Sequence, residues 1–132
     1  MAGGSGGGDR TGMDKATPRS LGARGEVLAA EYLARAGLVI IERNWRCPDG
    51  EIDLIARDGP ALAFIEVKTR RGVGYGTPAA AVDPRKAARL RRLAARWLAT
   101  SGIHPPVVRF DVVAILADDA GPPRIEHRAG AF

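Results

Sequence analysis

Apolar and polar positions change period along this chain, and the changes mark its elements. From Leu21 to about Ala36, the residues Leu21, Leu28, Tyr32 and Leu33 return to one side of a helix, and Gly37 follows as a stop signal. Leu38–Arg46 opens with the apolar run Leu38-Val39-Ile40-Ile41 and reads as a strand. Gly50-Glu51-Ile52-Asp53-Leu54-Ile55 and Phe64-Ile65-Glu66-Val67-Lys68-Thr69 alternate with a period of two, which predicts half-buried strands over Glu51–Arg57 and Ala61–Arg70. Asp58-Gly59 between them is a tight-turn dipeptide. A hairpin folded about it sets Arg57 opposite Pro60, Asp53 opposite Phe64 and Glu51 opposite Glu66. Asp83 as N-cap and Pro84 at the first helical position open a second helix, which runs to about Thr100. Gly102 and Pro105-Pro106 close it. Val107–Leu116 is a β-branched strand, Asp118–Pro123 a turn, and Ile125–Arg128 a short edge strand. The order α-β-β-β-α-β-β predicts an α/β (α+β) fold, a mixed β-sheet flanked by helices.

Composition sharpens the domain picture. Residues 1–20 are rich in glycine and poor in apolar side chains and read as a disordered tail; residues 21–132 suffice for a single domain with one core. Arg71–Thr77 holds three glycines and reads as a mobile loop. A lone cysteine, Cys47, excludes an internal disulfide and a cysteine-based zinc site, and points to a reducing compartment. His104 and His127 are isolated in sequence and read as surface or strand-end residues. The glycine-rich start has no apolar core of the signal-peptide kind, and the longest apolar run, Val112–Ala117, is too short to cross a bilayer. A cytoplasmic protein with no membrane partner is expected.

Charge adds a partner class. The chain carries +5 with a pI of about 10.1, which favours a polyanion. The basic character is local: Arg85–Arg96 contains Arg85, Lys86, Arg89, Arg91, Arg92 and Arg96 with no acid, while the remainder is close to neutral. On a helical wheel Arg85, Arg89, Arg92 and Arg96 form one stripe, apart from the apolar arc of Leu90, Leu93, Ala94, Trp97 and Leu98. A stripe of one sign gains nothing from intrahelical ion pairs, so it fits phosphate binding better than a merely solvated face. Lysine is used only at positions 15, 68 and 86 of this arginine-rich chain. Lys68 therefore stands out, because an ammonium whose pKa can shift is chemically distinct from a guanidinium.

Side chains two apart on a strand share a face, so Glu51, Asp53, Glu66 and Lys68 point the same way. In the expected register Asp53 and Glu66 are diagonal neighbours, with Cα atoms roughly 7–8 Å apart. Carboxylates that close repel unless a cation sits between them. With a lysine beside them they form the minimum equipment for metal-assisted cleavage of a phosphodiester. An ordinary solvated sheet face is the alternative.

Gly22-Ala23-Arg24-Gly25-Glu26, Gly50–Ile55 and Glu66-Val67-Lys68-Thr69-Arg70 together resemble the PD-(D/E)XK nuclease superfamily, in its Holliday-junction-resolvase-like branch. More closely, the chain resembles the YraN-like family of predicted endonucleases, through Arg43-Asn44-Trp45-Arg46, Thr77-Pro78-Ala79-Ala80-Ala81-Val82 and the terminal Ala131-Phe132. The likeness spans Gly22 to the C-terminus. Ile52 stands where the superfamily name has proline. The resemblance implies a restriction-endonuclease-like sheet in a nuclease-like domain. Asp53 and Glu66 would be metal ligands, Glu26 the helix glutamate completing the site, and Lys68 the lysine of the Glu-X-Lys motif. Carboxylate oxygens suit Mg²⁺ or Mn²⁺. Arg46, Arg70 and Arg71, with Arg85, Lys86, Arg89, Arg92 and Arg96, would hold flanking phosphates. With no amide-bearing recognition helix, reading by shape is expected. The resemblance implies branched or structured nucleic acid, with DNA favoured over RNA, and a homodimer as the binding form. Two other classes fit the same residues: a catalytically silent nucleic-acid-binding module, and a protein-interaction domain docking its basic helix on an acidic partner.

Overall fold

The computed structural model describes residues 18–71, 83–118 and 121–132. Most of the glycine-rich start, most of the Arg71–Thr77 loop and the Thr77–Val82 segment lie outside the described residues. The elements are α1 (Pro18–Arg35), β1 (Val39–Cys47), β2 (Gly50–Asp58), β3 (Ala61–Arg71), α2 (Pro84–Ser101), β4 (Val107–Asp118) and β5 (Gly121–Arg128). This is the order read from the sequence.

The five strands form one sheet, ordered β1-β2-β3-β4-β5. All neighbours are antiparallel except β3 and β4, which run parallel. A parallel pair needs a crossover, and α2 lies in that connection. Asp83 caps α2 by accepting the Arg85 N–H at 2.9 Å, Pro84 begins the helix, and Gly102 ends it in the left-handed conformation. Among the described residues no helix is long and apolar enough to cross a membrane.

Helices cover both faces of the sheet. On one, Ala29, Ala30 and Leu33 of α1 pack on Leu54, Ala56, Ala63, Ile65, Val113 and Ile115. On the other, Leu90, Leu93, Ala94 and Trp97 of α2 pack on Ile52, Ile55, Leu62 and Phe64. Phe64 meets Trp97 edge-on at 5.8 Å and stacks on Phe110 at 5.9 Å. The middle of the sheet is therefore not half-buried as its alternation predicts. Ala61 through Ile65 are all buried, as in strands covered on both sides.

The hairpin register also differs from expectation. Asp58 pairs with Ala61 and Leu54 with Ile65, so the loop is Gly59-Pro60 rather than Asp58-Gly59. Pro60 has no N–H to give to a ladder and is displaced into the turn. The shift is two residues, so the paired side chains from Leu54 to Asp58 and from Ala61 to Ile65 keep their faces. β5 is longer than predicted and carries Pro122-Pro123 directly after its first residue, Gly121, which an edge strand tolerates. The strands also take most of the predicted Asp118–Pro123 turn, β4 running through Asp118 and β5 starting at Gly121.

Candidate metal and phosphate cleft

The β2–β3 ladder stops at the Leu54–Ile65 pair. Beyond it, the carboxylate of Asp53 enters the gap, and its Oδ2 accepts the Val67 N–H at 2.8 Å. A cleft of about 150 Å³ opens there, lined by Glu51 and Asp53 of β2, Glu66 of β3, and Lys86 and Arg89 of α2. Two glycines shape its surroundings. Gly50 begins β2 with φ +146°, a conformation that side-chain-bearing residues rarely adopt, and it lies under Leu93 and Arg89 of α2. Gly25 lies so close to Thr69 that any side chain there would overlap the threonine hydroxyl. That approach brings α1, and with it Glu26, alongside the end of β3.

Asp53 is the electrostatic centre of the cleft. Burial pushes its pKa up to about 7, against the partial relief of the Val67 N–H, and the negative charges of Glu26, Glu51 and Glu66 push the same way. Burial likewise lowers the pKa of Lys68, with Glu66 opposing the shift and Lys86 and Arg70 adding to it. These residues therefore share one field, with acids and amines acting on each other across β2, β3, α1 and α2.

The sequence-predicted residues divide by position. Glu51, Asp53, Glu66, Lys86 and Arg89 face the cleft; Glu26 and Lys68 act on it electrostatically but do not line it. Among the described residues, no three His, Cys, Asp or Glu side chains gather closely enough to hold a metal ion, so Glu26, Asp53 and Glu66 do not form a ready cage. Arg46 is exposed and pairs with Glu51 at 3.1 Å. Arg70 is exposed at the far end of β3, and the side chain of Arg71 lies outside the described residues. Arg85, Arg89 and Arg92 are exposed on α2. Arg96 is exposed too but meets Asp49 at 2.7 Å, an acid supplied from the β1–β2 turn rather than from the helix. Arg91 lies over Phe110 and Phe132, 5.4 and 5.9 Å from the ring centres, and serves packing.

Sequence reading missed a second charged cluster. Asp111 of β4 is fully buried and fully bonded: Arg109 grips it with Nε and Nη2 at 2.9 Å each, His127 Nε2 lies at 2.9 Å, and the Gly130 N–H donates at 3.0 Å. Arg109 also reaches Asp58 at 3.0 Å. His127 is thus the wall of an ionic core rather than a bare strand-end residue. The available signal was an aspartate inside an apolar strand with an arginine two residues away on the same face.

A mixed sheet of this order, with helices on both faces and an acidic cleft at the fork of its central hairpin, is consistent with a nuclease-like scaffold. The chain belongs to the family described as "Uncharacterised protein family UPF0102", whose profile matches residues 25–115. It is 58% identical over 113 residues to a UPF0102 protein of Rhodococcus opacus, covering 86% of this chain and 96% of the relative. It is 56% identical over 111 residues to a UPF0102 protein of Beutenbergia cavernae, covering 84% and 94%. A Frankia alni relative, also a UPF0102 protein, is 55% identical over 113 residues, covering 86% and 94%.

Proposed function

We propose that this protein is a divalent-metal-dependent endonuclease acting on structured or branched DNA. The observation that carries the reading is Asp53. Its carboxyl titrates near neutrality, pushed up to about 7, inside a cleft it shares with two further carboxylates and two α2 cations. Such perturbation in a cleft is a mark of functional groups. The donors also suit the ion. Magnesium commonly takes one or two carboxylates and fills the rest of its shell with water, so Asp53 and Glu66 suffice without a three-carboxylate cage. When bound, a hard dication polarises a phosphate and acidifies a water.

The chain's own residues supply the remainder. Asp53, fixed by the Val67 N–H, presents one oriented oxygen to the cleft. Glu26 and Glu51 raise the negative field that favours a cation there. Lys68, its pKa lowered by burial, supplies an ammonium that neutralises charge developing on the phosphate or holds the attacking water. Lys86 and Arg89 border the cleft, and Arg85 and Arg92 extend the cationic surface along α2 for flanking phosphates, with Arg96 at its end held by Asp49. Among the described residues no amide-bearing recognition helix borders this surface, which supports recognition by shape. A cytoplasmic location and a homodimer spanning a junction belong to the same reading.

A second reading, binding without cutting, is favoured by one observation: no three-carboxylate group is assembled among the described residues. Incubating the full chain with branched and linear DNA and Mn²⁺, beside Glu66→Gln, separates the two. The nuclease reading expects cleavage of the branched substrate that falls about 100-fold or more in the variant, while DNA affinity stays within about twofold. Binding with no cleavage, or cleavage unchanged in Glu66→Gln, supports the silent module instead.

A further inference from the structure

The side chains of β1 and β2 break alternation at the same level. Ile52 and Ile55 both face α2, although three residues apart, and Leu54 between them faces α1. On β1, Glu42 bonds the indole N–H of Trp97 on α2 at 2.9 Å, and Trp45, three residues later, packs against the same α2-side core. A regular strand cannot put residues three apart on one face. Both strands therefore carry an irregularity between these positions. The flanking pairs Arg43–Leu54 and Trp45–Ile52 keep one register, so the residues facing each other at the irregularity are Asn44 and Asp53.

Asn44 has φ +52°, and it is the one non-glycine residue with positive φ among the described residues. Asparagine is among the few side-chain-bearing residues that enter the left-handed region readily; elsewhere in a strand it has no reason to do so. Strained backbone of this kind clusters at functional sites. Its counterpart across the ladder is the residue whose carboxylate leaves the strand alternation, enters the β2–β3 gap and takes the Val67 N–H. We infer that Asn44 is a positioning residue: its left-handed backbone kinks β1 and β2 together and so turns the Asp53 carboxylate into the cleft. The functional consequence rests on the site proposed above; the structural one does not.

The test compares Asn44→Gly, which keeps left-handed freedom, with Asn44→Ala and Asn44→Val, which oppose it increasingly. The first readout is amide hydrogen exchange at Val67, the N–H that Asp53 holds. Asn44→Ala and Asn44→Val should lose about tenfold of Val67 protection while Phe64 and Ile65 keep theirs, and Asn44→Gly should retain it. If Asn44→Val does not fold, the alanine and glycine variants decide. The second readout is Mn²⁺-supported cleavage of branched DNA, where the alanine variant should lose about tenfold in kcat with KM within about twofold, and the glycine variant should recover. Unchanged Val67 protection in a folded Asn44→Ala protein overturns the inference. Equal loss in the glycine variant overturns it too, by assigning the effect to the amide side chain. Absence of cleavage in the unaltered protein refutes the nuclease reading alone, because Val67 exchange still reports whether Asn44 aims Asp53.

Discussion

Asp111 and Asp53 are both strand aspartates, one fully buried and one half-buried in a cleft, and the fold treats them in opposite ways. At Asp111 burial alone would raise the pKa, but hydrogen bonds from His127, Arg109 and the Gly130 N–H outweigh it and hold the carboxyl below its usual range. At Asp53 burial raises the pKa to about 7; the Val67 N–H relieves it only in part, and the charges of Glu26, Glu51 and Glu66 add to the rise. One carboxylate has more donors than it needs to stay charged; the other has too few. A buried charge that is fully matched belongs to the architecture, joining β4, β5 and the β2–β3 turn through Asp58. A half-buried carboxylate left poorly matched, in a cleft that α2 borders with cations, is the kind of group the proposed function draws on.

The largest effect should come from unmatching the matched aspartate. Asp111→Ala leaves Arg109 with Asp58 alone among the described residues and removes the acceptor of His127 and Gly130, a loss of about 3–5 kcal/mol for a broken buried pair. Thermal or denaturant unfolding measures it directly. The lowered Asp111 pKa also gives a direction with pH: its contribution is present above the unfolded-state value and fades as pH falls through the folded one. A variant less than about 1 kcal/mol below the parent would dissolve the contrast drawn between the two aspartates.

The reverse substitution sharpens it. Asp53 has a folded pKa raised from 3.8 to about 7, so its protonated form is the stabilised one. Its contribution is complete below about pH 4 and is lost as pH rises through about 7. Asp53→Asn should therefore be more stable than the parent at pH 8, by on the order of 2 kcal/mol, and about equal to it at pH 4. Cleavage should disappear in the same variant, a trade of function for stability. Equal unfolding midpoints for parent and Asp53→Asn at pH 8 would mean that burial and the surrounding carboxylates impose no net cost on the charged Asp53.

The contrast also explains what the sequence could disclose. Period changes, Asp83-Pro84 and Gly102 signal local backbone preferences, and those elements stand within a few residues of their predicted ends. Strand periodicity sets Glu51, Asp53, Glu66 and Lys68 on one face; the two-residue slip preserves that parity along the paired stretch, and the irregularity at Asn44 and Asp53 departs from it. The slip itself was hidden, because Asp58-Gly59 is a good turn and only the missing N–H of Pro60 argues against it. Asp111, Arg109, His127 and Gly130 meet through tertiary packing, and no local pattern announces their meeting. The kink at Asn44 and Asp53 is likewise a property of two paired strands, visible in neither strand alone.

A third aspartate calibrates the scale at its weak end. Asp49 pairs with Arg96 at 2.7 Å, a shorter contact than any at Asp111, yet their side chains are 69% and 47% exposed. If burial rather than distance sets the energy, water and salt should screen this pair almost completely. Asp49→Asn should then change stability by no more than about 0.5 kcal/mol, with the difference vanishing in molar salt. The same substitution releases Arg96 to the cationic surface of α2. DNA affinity should rise by about twofold, and the salt dependence of binding should steepen by up to one phosphate contact. A stability loss above about 1 kcal/mol would show that contact geometry outranks burial in this protein, and would remove the basis for reading Asp53 as the exceptional carboxylate.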